Sequence, residues 1–251
     1  MNLDQMIKGG YWGTSPFSDR LMIITPAHPD NWYSGGGQFP LRECSPIAFV
    51  WHEPQEDSDD NEQTPRYFAQ YHPLTPGSTT YYSDSDGDQY QCVPLARAPV
   101  ANGLKGRPMP RFNDGGPEFG AFSLNQQSHS SEVEGRSHTI HLTMTNAQYD
   151  GCVDLAALSM IMYDWPRNPK RVGLAHGDLA TDRSDGLWIA HKSGIPQEAT
   201  NRVIKLEKDI NDIKALVWGQ AVKQNDTGAI LVNHALRLNG YEVHTEHPPG
   251  K

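Results

Sequence analysis

Two apolar runs, Leu155-Ala-Ala-Leu-Ser-Met-Ile-Met-Tyr163 and Leu187-Trp-Ile-Ala190, decide the fold that the sequence predicts. The second run follows the polar turn Thr181-Asp-Arg-Ser-Asp-Gly186. An Asp-Gly pair between apolar runs is typical of a tight chain reversal, so we predict that the two runs are neighbouring strands. This arrangement would bring His176 and His191 to the ends of paired strands.

Basic and hydroxyl side chains stand next to both histidines in the sequence. Lys170 and Arg171 precede His176, and His191 is followed by Lys192 and Ser193. Imidazoles that exchange protons near neutral pH, with cations close by, are suited to chemistry on a phosphate group. We therefore predict His176 and His191 as catalytic residues, with the four neighbours binding substrate. The alternative is that both histidines are ordinary polar loop residues.

The order of these motifs resembles that of the acid deoxyribonuclease II family. The resemblance rests on Tyr163-Asp164, His176, the Leu187-Trp-Ile-Ala-His191 run with Pro196, and Trp218-Gly-Gln220. Ile47-Ala-Phe-Val-Trp-His-Glu-Pro54 and Thr80-Tyr-Tyr-Ser-Asp-Ser85 extend it toward the N-terminus, so that it covers about residues 45 to 220.

That family belongs to the phospholipase D superfamily, and the resemblance implies half of such a two-part enzyme. It implies a metal-independent phosphodiesterase or nuclease that acts on DNA through His176 and His191, with no metal and no cofactor. Asp178 departs from the family pattern, which has a lysine there. Because one chain brings half of the phosphate-handling groups, we expect a homo-oligomer. A catalytically inactive relative, or a structural protein that binds nucleic acid or protein, remains an alternative.

Charge and composition restrict the function classes. The 251-residue chain has a formal net charge of −9, which disfavours a general nucleic-acid binder at neutral pH. Its 11 histidines would raise that charge in a mildly acidic compartment. Three widely spaced cysteines make neither a metal motif nor a disulfide framework. DNA is the partner that the family resemblance implies.

The predicted fold class is α+β, with a mostly antiparallel sheet and packed helices. We expect an N-terminal extension over 1–44 and one α+β domain over 45–251. Strand patterns lie at Leu21–Ile24, Ile47–Trp51 and Thr79–Tyr82, with others at Arg66–Tyr71 and Ser137–Thr145. Helical patterns cover 197–217 and 227–238.

Membrane insertion is not predicted from the sequence. No apolar run reaches the roughly 18 residues that a membrane-spanning helix needs. The N-terminal residues Met1–Gly13 lack the apolar core of a signal peptide. We therefore expect a protein without a membrane partner that is cytoplasmic or exported by a non-classical route.

Overall fold

The computed structural model describes residues 11–14, 21–26, 39–53, 63–69, 77–102, 116–120, 122–135, 144–179 and 186–224. The chain divides into two compact units, Met1–Val203 and Ile204–Lys251. No helix among these residues has the length and apolarity needed to cross a membrane. Cys44, Cys92 and Cys152 are free thiols.

The first unit is built on a seven-stranded mixed sheet. Its strands are β1 (Tyr11–Thr14), β2 (Leu21–Pro26), β3 (Ala48–His52), β4 (Tyr81–Ser83), β5 (Gln89–Gln91), β6 (Ser128–Val133) and β7 (Leu174–Ala175). Their order across the sheet is β1-β2-β5-β4-β6-β3-β7. Among the described strand pairs, β1–β2 and β4–β5 are antiparallel, whereas β2–β5, β4–β6, β6–β3 and β3–β7 are parallel.

The described helices are α1 (Gln63–Phe68), α2 (Leu124–Gln127), α3 (Asn146–Met162), α4 (His176–Leu179), α5 (Leu187–His191) and α6 (Ile195–Gln224). A short 3₁₀ turn, Pro169–Arg171, precedes β7. The Thr145 hydroxyl accepts a hydrogen bond from the Gln148 N–H at 3.0 Å, which caps the first turn of α3. Gly186 stands before α5 with φ of 75°, a left-handed conformation that favours glycine.

Strand β3 runs through the middle of the core and separates two apolar clusters. All five of its residues are buried, as expected for a strand covered on both faces. Phe49 and Trp51 pack with α3 in the larger cluster. Ala48 and Val50 pack in a smaller cluster with Leu124, Leu174 and Leu179. Because side chains alternate along a strand, His52 lies on the face of Ala48 and Val50.

Strand β6 is unusual because its buried positions are largely hydroxyl side chains. Ser128, Ser130 and Ser131 are all fully buried. The Ser130 Oγ accepts a hydrogen bond from the Thr79 hydroxyl at 3.1 Å, and the hydroxyls of Ser131 and Ser83 are 3.3 Å apart. These contacts satisfy buried polar groups that would otherwise destabilise the sheet.

Several sequence predictions are confirmed. The fold class is α+β with packed helices. Strands occur at the predicted Leu21–Ile24 and Ile47–Trp51 segments, and Tyr81–Ser83 overlaps the third. The predicted helix over 197–217 lies within α6. The predicted helix over 227–238 and the strand pattern over 137–143 lie outside the described residues.

Other predictions are wrong. The sheet is mostly parallel and not mostly antiparallel. The supposed neighbouring strands Leu158–Tyr163 and Leu187–Ala190 are the last turn of α3, ending at Met162, and most of α5. Arg66 to Phe68 lies in α1 and is not a strand. Almost every residue from Gly151 to Met160 is buried, and an apolar run buried on all sides shows no helical period in the sequence.

Candidate functional site

The candidate site lies where three parallel strands end at the same edge of the sheet. His52 is the last residue of β3, and it pairs in register with Glu132 near the end of β6. His176 follows β7 directly as the first residue of α4. Since β6, β3 and β7 are adjacent and parallel, their carboxyl ends bring these three side chains together.

The three side chains are close and mostly buried. The ring centroids of His52 and His176 are 4.6 Å apart, at an interplanar angle of 47°. The His52 Nδ1 lies 3.8 Å from Glu132 Oε1, beyond direct hydrogen-bond distance. The exposed fraction is 2% for His52 and 5% for His176. Two imidazoles and a carboxylate therefore converge in a site with little water.

The position of His52 is fixed by the buried Asn102 side chain and by contacts of the end of β3. Its Nε2 lies 2.9 Å from Asn102 Oδ1. The preceding residue, Trp51, donates its indole N–H to the Val172 carbonyl at 2.6 Å. A Cβ added to Gly186 would lie 2.0 Å from the Trp51 carbonyl oxygen, so α5 begins in tight contact with the end of β3.

His191, the second predicted catalytic histidine, forms a separate pair with Asp178. Its Nε2 lies 2.8 Å and 2.9 Å from the two carboxylate oxygens of Asp178. Asp178 Oδ2 also accepts a hydrogen bond from the Ala175 N–H at 2.8 Å. The Asp178 carboxylate is thus used to join the β7–α4 turn to the end of α5. The His191 side chain is 47% exposed, whereas His176 is buried.

The four predicted substrate-binding residues occupy local turns. Lys170 and Arg171 lie in the 3₁₀ turn, where an Arg171 N–H donates to the Ile47 carbonyl at 3.3 Å. Burial lowers the pKa of Arg171, and the charge of Glu118 opposes that shift. The Ser193 hydroxyl donates to the Ile189 carbonyl at 2.6 Å, and its oxygen accepts the Ile195 N–H. Their assignment to substrate binding stays a prediction.

Two imidazoles in contact are donor groups of the kind that bind divalent metals. Histidine nitrogens are preferred ligands for zinc and related transition metals. Among the described residues, however, no group of three or more His, Cys, Asp or Glu side chains has metal-binding geometry. The sequence between Leu179 and Gly186 contains Asp182 and Asp185, which lie outside the described residues. The described part of the site therefore brings together two imidazoles.

Comparison with known proteins finds similarity only among solved structures. No protein-family model matches the sequence, and no curated protein matches it. The PlyG catalytic domain is 19% identical with a TM-score of 0.46, over 72% of this chain and 94% of that chain. The Ph2119 endolysin from Thermus scotoductus MAT2119 bacteriophage Ph2119 is 16% identical with a TM-score of 0.44, over 70% and 98%. The N-acetylmuramoyl-L-alanine amidase LysC from Clostridium intestinale URNW is 16% identical with a TM-score of 0.39, over 58% and 82%.

The assignment to the deoxyribonuclease II family is wrong, and so is the DNA nuclease function that it implied. The similar solved structures named above are endolysin and amidase domains, and none of them is a phospholipase D relative. Within this chain, the segments compared with the strand ends of that family are the helices α3 and α5. The short motifs matched in sequence order, but they lie in a different secondary structure in this chain.

Proposed function

We propose that the protein is a metal-dependent hydrolase whose site lies at the carboxyl ends of β3, β6 and β7. The observation that carries the proposal is the contact of the His52 and His176 rings, whose centroids are 4.6 Å apart, beside the Glu132 carboxylate. Two histidines with an adjacent carboxylate are a common arrangement in metal-assisted hydrolysis.

Each of the three residues has a role that its position supports. His52 and His176 would bind the cation, and both lie on backbone that is fixed by neighbouring strands. A divalent cation bound there supplies Lewis-acid polarisation of a carbonyl oxygen. Glu132 would accept a proton from the attacking water at a carboxylate oxygen and transfer it to the leaving nitrogen. Its side chain is 13% exposed, so it is reachable by water without being fully solvated.

Three protein ligands are usual at a catalytic zinc ion, and the described residues provide two.

An amide bond of the N-acetylmuramoyl-L-alanine type, as found in peptidoglycan, is the substrate that we propose to test first. It is the bond named in the LysC amidase. The carboxylate and the two imidazoles suit hydrolysis of amides in general. Purified peptidoglycan and a soluble muramoyl peptide therefore form the first pair of assays.

Metal content and hydrolysis are measured on the same set of variants. We expect wild type to bind about one Zn²⁺ per chain, as in mononuclear catalytic sites. His52→Ala and His176→Ala should each abolish that binding. Glu132→Gln should retain the metal and lower kcat by roughly 10² to 10⁴, the usual contribution of general acid–base catalysis.

The His191→Ala variant distinguishes this site from the one predicted by sequence. Because His191 pairs with Asp178, we expect its loss to leave zinc stoichiometry unchanged. Zinc binding that survives His52→Ala, or that is lost in His191→Ala alone, would contradict the proposed site. A protein that binds zinc and cleaves neither substrate would retain the metal assignment and refute the substrate.

A further inference from the structure

We infer that Asn102 is a positioning residue that fixes the proton of the His52 ring on Nε2 and makes Nδ1 the nitrogen that binds the metal. The statement about the metal rests on the proposed function, whereas the position of the proton does not. Asn102 lies far from His52 in sequence, and both side chains are buried, at 0% and 2% exposure.

The orientation of the Asn102 amide follows from a chain of hydrogen bonds that begins at the backbone. The Ser128 hydroxyl donates its single proton to the Leu124 carbonyl at 2.8 Å. Ser128 Oγ can therefore only accept from Asn102, whose Nδ2 lies 3.1 Å away. With the nitrogen directed at Ser128, the amide oxygen is the atom that faces His52.

The same reasoning extends to the histidine ring. Asn102 Oδ1 has no proton to give, so the 2.9 Å contact requires His52 Nε2 to be the donor. A neutral imidazole carries one proton, so Nδ1 then holds the lone pair. That nitrogen lies 3.8 Å from Glu132 Oε1, and the ring is the one in contact with His176. The lone pair is thus on the side of the proposed metal site.

Asn102 is itself held in place by a side chain of a neighbouring segment. Its backbone N–H donates to Asn125 Oδ1 at 2.9 Å, and Ser128, its other partner, is fully buried. A ligating histidine that donates its other ring N–H to an oxygen keeps one tautomer and one ring orientation. Loss of such a partner typically lowers metal affinity by about 10- to 100-fold.

The experiment measures the His52 tautomer and the zinc affinity separately. Ring ¹⁵N chemical shifts of full-length, histidine-labelled, metal-free protein above pH 7 report which nitrogen of His52 is protonated. His52→Gln assigns the signals. We expect the Nε2–H form in wild type, and a mixture of tautomers in Asn102→Leu with zinc affinity reduced about 10- to 100-fold.

Ser128→Ala provides a milder second variant, since it keeps Asn102 and removes only the acceptor that orients the amide. It should lower zinc affinity in the same direction and by less. Ser131→Ala is the matched control: it removes a buried hydroxyl on the same strand that contacts Ser83, and it should change neither readout.

The outcomes separate the inference from the proposed function. A His52 ring protonated on Nδ1 in wild type would overturn the inference, and so would wild-type zinc affinity in a folded Asn102→Leu or Ser128→Ala protein. The Nε2–H form in a wild type that binds no zinc would refute the proposed function and still support the role of Asn102 in fixing the tautomer.

Discussion

Gly186 is the residue at which the start of α5 lies against the backbone of β3. It has φ of 75°, and a Cβ there would lie 2.0 Å from the Trp51 carbonyl oxygen and 2.7 Å from its carbon. Gly186→Ala combines left-handed strain with a clash against backbone that cannot rotate away. We expect a loss of about 2–5 kcal/mol in the free energy of unfolding, measured by urea denaturation.

The matched control for that variant is Gly77→Ala, since a Cβ at Gly77 meets nothing within 4 Å. It should change stability by less than about 0.5 kcal/mol. Equal stability of wild type and Gly186→Ala would contradict the contact between α5 and the end of β3.

His129 predicts how stability depends on pH. Burial lowers the pKa of this fully buried histidine well below its ordinary value, and the charge of Arg42 adds to the shift. The unfolded state therefore binds a proton below about pH 6.5 while the folded state does not, so this contribution to stability falls as the pH is lowered. In wild type, His129 makes the free energy of unfolding fall by up to about 1.4 kcal/mol for each pH unit between pH 6.5 and its folded-state pKa. The His129→Phe variant should lack this dependence.

The measurement compares unfolding free energies of wild type and His129→Phe from pH 7.5 to 4.5. Tyr163→Phe serves as the control, because it removes the hydroxyl 3.1 Å from His129 Nε2 and keeps the titrating ring. Burial raises the pKa of Asp84 to about 6, so its contribution to the free energy of unfolding increases as the pH falls. This contribution has the opposite sign to that of His129, and it is the same in wild type and both variants. Parallel pH profiles for wild type and His129→Phe would refute the prediction.

At this scale the catalytic role predicted for His176 stays a prediction. The sequence singled it out together with His191, because both were expected at the ends of paired strands beside basic residues, whereas the structure puts it beside His52. His52 was visible as the end of a predicted strand, but nothing in its neighbourhood showed which other strand would end beside it. Glu132 and Asn102 could not be found, because they join the site only through strand pairing and buried contacts.

At the scale of elements, helices were harder to predict when they were fully buried. Every residue from Gly151 to Ala157 of α3 is buried. The helix therefore has no polar face there, and its sequence shows no alternation with the period of a helix. Helix α6 was predicted from the three- and four-residue spacing of its apolar residues, Val203, Leu206, Ile210, Ile213 and Leu216. The helix is confirmed, but the expected burial of this stripe holds only at Val203, since Ile213 and Leu216 are exposed.

Helices α6 and α3 are joined by an ion cluster around Arg202. Its guanidinium contacts Asp150 and Asp154 of α3 at 2.8 Å each, and Glu198 at 3.1 Å. Burial alone would lower the pKa of Arg202, but the hydrogen bonds to the three carboxylates raise it above its ordinary value. Asp154 is fully buried, so removing the cation leaves a costly charge in the core.

We expect Arg202→Met to lower the free energy of unfolding by about 3 kcal/mol, because a buried carboxylate loses its cationic partner. Chemical denaturation measures the change. Lys205→Met, at an exposed position of the same helix, should stay within about 0.5 kcal/mol of wild type. A similar small effect of both variants would show that the cluster contributes little.

At the scale of the whole molecule, the direction of strand pairing was the information that the sequence lacked. His52, Glu132 and His176 belong to strands separated by long stretches of chain, and they meet because β6, β3 and β7 are parallel. Local patterns specify which residues are extended, but parallel pairing is settled by contacts between distant segments. The α+β class could therefore be predicted, while the site that depends on topology could not.

The homo-oligomer expected from the sequence stays a prediction at this scale. Ile213 and Leu216 on α6 are 55% and 66% exposed, and burying such side chains favours self-association. Light scattering on the full chain should give a mass of at least twice 27.9 kDa. A monomer at concentrations of about 100 μM, well above typical affinities for specific dimers, would refute it.

The hydroxyls buried on β6 have a consequence for how the sheet avoids assembly errors. Apolar contacts have no direction, so they distinguish the correct register from a shift of two residues less sharply than hydrogen bonds do. Ser130 and Ser131 instead need the hydroxyls of Thr79 and Ser83 within hydrogen-bond distance, and a misaligned pair would leave hydroxyls unsatisfied at about 1–3 kcal/mol each. The alignment that satisfies them also fixes the height of Glu132 on β6. When these serines have their correct partners, the Glu132 carboxylate therefore lies at the same end of the sheet as His52 and His176.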